Sequence, residues 1–224
     1  ECLAFGHFPA RSKRGKMVFT CLSHDIVTHE TTHALVDGLR DQLMRPSSDD
    51  QAAFHEGYAD VIALLKILKN EELVRVAVRS RLKPTPAGTV STEEATRAIN
   101  GGGFLLGLAE EMGQELFGMG REALRKSTEL TPSPDYYKGA AFREAHDRGE
   151  ILVAAVMRAF LNVWCSRLDG KVKSFGGKAE ANRVAAWRVE EEGAKAASHL
   201  MNMMIRALDY LPPVHVSFGD FLSA

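Results

Sequence analysis

Residues 25–37, DIVTHETTHALVD, carry two histidines four residues apart, and this spacing limits the local fold more than any other feature of the chain. Side chains four residues apart lie one turn apart on one face of an α-helix, so a helix here brings His29 and His33 together. Two imidazoles at that separation can bind one tetrahedral zinc ion, which at catalytic sites keeps a position open for water. Glu30 precedes His33 by three residues and leans toward the same point, where its carboxylate can act as a general base on a water molecule.

Two carboxylates follow on the next predicted helix. Glu56 lies 23 residues after His33, and Asp60 lies one turn beyond Glu56. Because the connection is short, we expect the two helices to pack antiparallel, with Glu56 facing the histidines as the third protein ligand. Asp60 can then accept the second N–H of a ligating imidazole and hold its orientation. Asp25 and Asp37 fall on the same face of the first helix as the histidines.

The H-E-x-x-H string by itself is weak evidence, because it also occurs by chance in helices of unrelated proteins. The second helix supplies the stronger argument. Its sequence between residues 53 and 68 is largely apolar, and buried carboxylates in such a helix are costly unless they are paired or bound to a metal. The two segments together therefore predict a metal site.

The remaining sequence predicts a mainly α protein with a short β segment at its N-terminal edge. Residues 17–22, MVFTCL, favour a strand, and Ser23 is expected to cap the first helix. Apolar periodicity predicts helices over these ranges: 23–39, 48–69, 71–82, 91–117, 147–168 and 179–209, with a short capped helical turn at 217–222.

Three features interrupt this helical pattern. The glycines at 101–103 predict a break or a close helix crossing. Residues 118–145 are expected to form an irregular connection, and residues 170–178 are expected to form a loop. Because the chain begins with Glu1, we interpret it as a fragment. Residues 1–23 are expected to be the edge of a truncated N-terminal lobe, and residues 24–224 a helical lobe.

Charge and cysteine content bear on the partners and the compartment. The formal net charge is −1, so the chain lacks the basic excess typical of nucleic-acid-binding proteins. No apolar run reaches the roughly 18 residues of a membrane span. Three cysteines without a C-x-x-C pair do not form a disulfide framework and favour a reducing, cytoplasmic compartment. We therefore expect no nucleic-acid partner and no membrane span, and leave the oligomeric state open.

Residues 25–34, DIVTHETTHA, and residues 56–60, EGYAD, resemble the thermolysin-like branch of the gluzincin metallopeptidases. The resemblance implies a mostly helical lobe that follows a β-rich lobe, with the active-site helix between them and a peptide or protein substrate in the cleft. It implies that Asp60 orients the first zinc histidine. It also implies Zn²⁺ ligands at His29, His33 and Glu56.

A third segment, AHDRGEI at residues 145–151, resembles the fungalysin-type pattern of a histidine followed by Gly-Glu. The resemblance implies that His146 hydrogen-bonds the oxyanion formed when water attacks the scissile carbonyl. The alternative is a capping or surface histidine, and Arg148 can share the oxyanion role. The tyrosine that the family places shortly before its glutamate ligand is absent from residues 44–51. Tyr136 or Tyr137 could take its place in space, but no sequence pattern indicates this.

The preferred function is that of a zinc-dependent peptidase with Glu30 as general base and His146 as oxyanion stabiliser. Two alternatives stay open: a zinc hydrolase of a non-peptide substrate, and a metal-stabilised binding domain without catalysis. Intact Glu30 argues against the second alternative, since a scaffold does not need it. His55 is expected to point to a different face from Glu56, and the acidic run at 190–192 to lie on a solvated helix face.

Overall fold

The computed structural model describes residues 2–9, 15–101, 130–173 and 182–224. The fold is mainly α, as the sequence predicts. The helices are α1 His24–Leu39, α2 Asp49–Leu68, α3 Glu71–Arg79, α4 Thr92–Asn100, α5 Ala145–Lys173, α6 Ala186–Ala207 and α7 Phe218–Ser223. The strands are β1 His7–Pro9, β2 Met17–Phe19, β3 Thr89–Ser91 and β4 Arg183–Ala185.

Helix α2 is the central element. The Ser48 hydroxyl accepts a hydrogen bond from the Gln51 amide and caps its first turn. Most of its side chains are buried, Phe54 and Leu65 completely, because α1, α5 and α6 all pack against it. A helix that is covered on several sides holds its side chains in fixed rotamers, which suits an element that carries site residues.

Helices α2 and α5 cross at a pair of glycines. A Cβ added to Gly57 would lie 2.7 Å from the Gly149 carbonyl oxygen, and one added to Gly149 would lie 2.9 Å from the Gly57 nitrogen. The two backbones are therefore in direct contact, which no pair of larger residues allows. This crossing lies next to Glu56 on α2 and close to His146 on α5.

Each of the two small sheets is an antiparallel pair. β1 pairs with β2 in the register His7↔Phe19, so the prediction of a β segment at the N-terminal edge is confirmed. β3 pairs with β4 in the register Thr89↔Ala185, across more than ninety residues of sequence. Helix α6 was expected from residue 179, and this part of the prediction is wrong because residues 183–185 pair with β3 instead of continuing the helix.

Several predicted boundaries shift. The strand expected at 17–22 ends at Phe19 in a 3₁₀ turn, and α3 ends at Arg79 rather than 82. Helix α5 extends to Lys173, so the loop predicted at 170–178 is wrong for its first four residues. Residues 130–144 are irregular, with two short 3₁₀ turns, as expected. The predictions for residues 102–129 and 174–181 lie outside the described residues.

The acidic run at 190–192 is not a solvated face, which corrects the sequence interpretation. Glu190 and Glu192 are buried on α6. Glu190 binds the guanidinium groups of Arg75 and Arg79 on α3, and Glu192 binds Arg167 on α5 at 2.7 Å. A carboxylate is tolerated inside a fold when it is paired in this way, and the charge run by itself does not reveal the pairing.

Helix α5 is long and apolar enough, by length and composition alone, to cross a membrane between Ala145 and Asp169. In the fold, 61% of that window is buried against other parts of the protein. The core helix of a soluble protein passes the same test, so this property is weak evidence for a membrane span.

Candidate metal centre

Antiparallel packing of α1 and α2 assembles the centre. Early on α1, His29 contacts Asp60, and two turns later Asp37 contacts His55. The earlier residue of α1 thus contacts the later residue of α2, and the later residue of α1 contacts the earlier one. The two helices are therefore antiparallel, as expected from the short connection. The predicted ligand Glu56 lies between these two contacts.

The three predicted ligands converge on one point. The His29 and His33 Nε2 atoms are 2.9 Å apart, and the Glu56 Oε2 atom lies 3.4 Å and 3.3 Å from them. A zinc ion bound at about 2.0–2.1 Å in tetrahedral geometry separates its ligand atoms by about 3.3–3.4 Å. Two of the three separations match this value, and the third requires the imidazoles to move apart by about 0.4 Å. The donor set therefore fits Zn²⁺, and it is the one such group found among the described residues.

The two histidines differ in what holds their other nitrogen. His29 Nδ1 lies 2.8 Å from the Asp60 carboxylate, the contact predicted to orient the ring. His33 Nδ1 is buried and has no hydrogen-bond partner among the residues that the structure describes. The ring of His33 is instead stacked on the ring of His55.

The ionisable side chains of the cluster shift one another's pKa. Burial favours the neutral form of His29, but the carboxylates of Asp60 and Glu56 outweigh it and raise the pKa of His29 to about 10. Burial would also raise the pKa of Glu56, yet the nearby imidazoles of His29 and His33 and the charge of His146 hold that pKa well below its ordinary value. Burial, followed by the charge of His33, lowers the pKa of His55. A proton on His29 thus offsets the Glu56 charge where a metal ion would do so.

His146 lies at the start of α5 and faces the cluster. Its Nε2 is 3.3 Å from Glu56 Oε2, while its Nδ1 is 2.9 Å from Glu144 Oε1. Burial disfavours the imidazolium, but Glu144, Glu56 and Asp60 together raise the pKa of His146. The side chain is 61% exposed, so it meets solvent on one side and the predicted ligands on the other.

Arg148 and the tyrosines have other partners. The Arg148 guanidinium binds Asp50 at the start of α2 and lies 4.5 Å above the ring of Tyr137. Tyr136 packs on Phe142. Within the described ranges, neither tyrosine hydrogen-bonds a predicted ligand, so the sequence departs from the family pattern here without a visible substitute.

Glu30 lies on α1 directly after His29, and its side chain is half-buried. Its carboxylate makes no hydrogen bond or ion pair with another described residue. Asp25 is buried and accepts a hydrogen bond from the Ser23 hydroxyl, which is therefore not used to cap α1.

Sequence reasoning missed three participants. His55 does not point away from the site, since its ring centroid lies 4.3 Å from that of His33. Asp37 was placed on the correct face of α1, but its contact with His55 was not foreseen. Glu144 accepts hydrogen bonds from the amides of His146 and Asp147 as well as from His146 Nδ1. The available signal for Glu144 was an acidic residue shortly before a predicted helix, where the helix dipole favours negative charge.

The chain matches no family model, no curated protein and no solved structure. The family resemblance of the motifs is therefore carried by the residues alone.

Proposed function

We propose that this protein is a zinc-dependent peptidase of gluzincin type. The observation that carries the proposal is the convergence of three ligand atoms from two antiparallel helices within 2.9–3.4 Å of one another. Asp60 supports His29, and His146, from a third helix, lies 3.3 Å from Glu56. Such an arrangement matches a three-ligand catalytic zinc site with one open position.

The proposed chemistry is the addition of water to a peptide carbonyl. A bound zinc ion supplies Lewis-acid polarisation and lowers the pKa of water. Glu30 accepts a proton from the attacking water and passes it to the amine nitrogen as the C–N bond breaks. His146, with its raised pKa, donates an Nε2–H hydrogen bond to the carbonyl oxygen as negative charge develops there.

Two carboxylates orient the imidazole rings of His29 and His146. Asp60 holds the ring of His29 with Nδ1 directed at the carboxylate, so Nε2 points to the centre. Glu144 does the same for His146, because its bond to Nδ1 leaves Nε2 directed toward Glu56. His29 and His146 thus each have Nδ1 anchored by a carboxylate and Nε2 directed toward Glu56.

The test compares Glu30→Gln with the unmodified protein on a denatured protein substrate, with zinc content measured on the same samples. Glutamine keeps the size of the side chain but cannot accept the proton, so we expect about a 10²–10⁴-fold lower rate with unchanged zinc content. Glu71→Gln, at an exposed position on α3, is the matched control and should leave the rate unchanged.

Each outcome discriminates between the candidate functions. Absence of zinc after titration with the metal would contradict the proposed centre. Zinc binding together with full activity of Glu30→Gln would contradict the hydrolytic mechanism. Zinc binding without cleavage of any peptide, but with hydrolysis of an ester, would favour a non-peptide substrate.

A further inference from the structure

His55 lies directly against one of the proposed metal ligands. Its ring stacks on that of His33 with an interplanar angle of 21° and a centroid separation of 4.3 Å. The His55 side chain is 15% exposed, and its Nε2 lies 2.9 Å from Asp37 Oδ1. Asp37 is one turn after His33 on α1, so the His55–Asp37 pair joins α2 to α1 beside the ligand.

The two ligand histidines are held by different means. His29 is anchored through Nδ1 by a hydrogen bond to Asp60. His33 has no such partner on its buried Nδ1 among the described residues, so no hydrogen bond there fixes the plane of its ring. Metal-ligating histidines almost always use that second nitrogen for a hydrogen bond. Another contact must therefore limit the rotation of the His33 ring. That ring meets the His29 ring edge-to-face and stacks on the ring of His55, and of these two partners only His55 lies outside the donor group.

We propose that His55, fixed by Asp37, is the positioning residue for His33, and that ring stacking replaces the hydrogen bond that orients His29. The inference rests on the proposed metal centre. His55 acts through His33 and is not itself a ligand, because its Nε2 is engaged by Asp37 and it lies outside the converging donor group. Asp37 prevents the His55 ring from turning and thereby defines the plane of the stack.

The experiment measures the zinc dissociation constant of the protein by competition with a chromophoric chelator for three variants. His55→Ala removes the stack and should weaken zinc binding about 10–100-fold, the usual effect of losing a residue that orients a ligand. His55→Phe keeps an aromatic ring against His33 but loses the bond to Asp37, so it should weaken zinc binding only several-fold, clearly less than His55→Ala. His33→Ala, which removes a predicted ligand itself, is the positive control.

A second readout separates positioning from a general effect on the fold. The visible spectrum of the cobalt-substituted protein reports the geometry of the ligands, and we expect it to change more in His55→Ala than in His55→Phe. Thermal unfolding of the metal-free variants reports the stability of the fold alone. If His55→Ala does not fold, Asp37→Ala is the substitute variant. It keeps the His55 ring but removes the contact that prevents this ring from turning, and it should weaken zinc binding several-fold.

Three results would overturn the inference. Unchanged zinc affinity in folded His55→Ala would leave His55 with a packing role only. Equal losses in His55→Phe and His55→Ala would make His55 a ligand or a hydrogen-bonding group rather than a stacking partner. Failure of the unmodified protein to bind zinc would remove the metal centre itself, whereas the first two results leave the proposed peptidase intact.

Discussion

At the scale of single residues, one carboxylate oxygen organises the site. Glu56 Oε2 lies within 3.4 Å of the Nε2 atoms of His29, His33 and His146. Three of these four residues were predicted as ligands from spacing, because helix periodicity alone decides which side chains share a face. The supporting residues His55 and Glu144 were not predicted, because their roles depend on contacts between elements that no local pattern encodes.

The raised pKa of His29 predicts that zinc binding releases a proton. Zinc requires the neutral imidazole, while His29 remains protonated up to a pKa of about 10. Zinc affinity should therefore rise by about tenfold per pH unit between pH 7 and 9, and level off above pH 10. Competition titrations in matched buffers, corrected for the chelator's own protonation, measure this slope.

The same titrations on Asp60→Asn provide the decisive comparison. The variant lacks the main charge that raises the pKa of His29, so the slope should be smaller. Asp135→Asn, which alters an exposed pair with Lys138, should keep the original slope. A zinc affinity that does not change between pH 7 and 9 in the unmodified protein would rule out a protonated His29.

At the scale of helices, the sequence was informative for long, periodic segments and less so where distant residues meet. Helices α1 and α2 were located well because the two histidines of α1 have helical spacing and because α2 has the long, largely apolar sequence of a buried helix. The β3–β4 pair was missed because its strands have three residues each and lie far apart in sequence. The buried ion pairs of α6 were missed for the same reason, since their arginines come from α3 and α5.

The glycine crossing of α2 and α5 predicts a position that tolerates no side chain. In Gly149→Ala, the new Cβ would lie 2.9 Å from the Gly57 nitrogen and 3.0 Å from the Ala53 carbonyl oxygen, so the helices must separate. We expect a loss of about 1–3 kcal/mol in the free energy of unfolding, and a lower rate of the proposed hydrolysis because His146 moves away from Glu56. Denaturant unfolding and turnover measurements check both effects.

Gly38→Ala is the matched control, because a Cβ at Gly38 on α1 would meet no atom within 4 Å. Alanine has the higher helix propensity, so this variant should be equally stable or up to about 1 kcal/mol more stable. Equal stability of the two variants would contradict direct backbone contact at the crossing.

Arg75 pairs with two glutamates, and we expect these two ion pairs to contribute differently to the free energy of unfolding. Glu190 is 4% exposed and Glu72 is 72% exposed, and both bind Arg75. Glu190→Gln removes a buried charge partner from α6 and should lower the free energy of unfolding by about 1–3 kcal/mol. Glu72→Gln affects a solvated pair and should change it by less than about 0.5 kcal/mol. Urea unfolding of both variants tests this difference, and equal effects would contradict it.

At the scale of the whole molecule, the apolar core and the site share one central helix. The buried face of α2 belongs to a continuous cluster with side chains from α3, α5 and α6, whereas Glu56 and Asp60 turn toward α1. A large core of this kind can hold the fold without a metal ion, unlike a small zinc finger. The division into a segment 1–23 and a lobe 24–224 remains a prediction from the sequence.

This arrangement predicts that zinc stabilises a protein that is already folded. His29 and Glu56 compensate each other's charge without metal, so the chelated protein should keep its helical circular dichroism and a cooperative melt. Binding to the native state alone adds about 2.7 kcal/mol at a free zinc concentration of one hundred times the dissociation constant, which corresponds to about 5–11 °C in a domain of this size. Thermal melts across a zinc series, with His33→Ala as the control that should lose the shift, measure this coupling. An unfolded chelated protein would make the ion a structural requirement, and an unchanged melting temperature would contradict binding at these ligands.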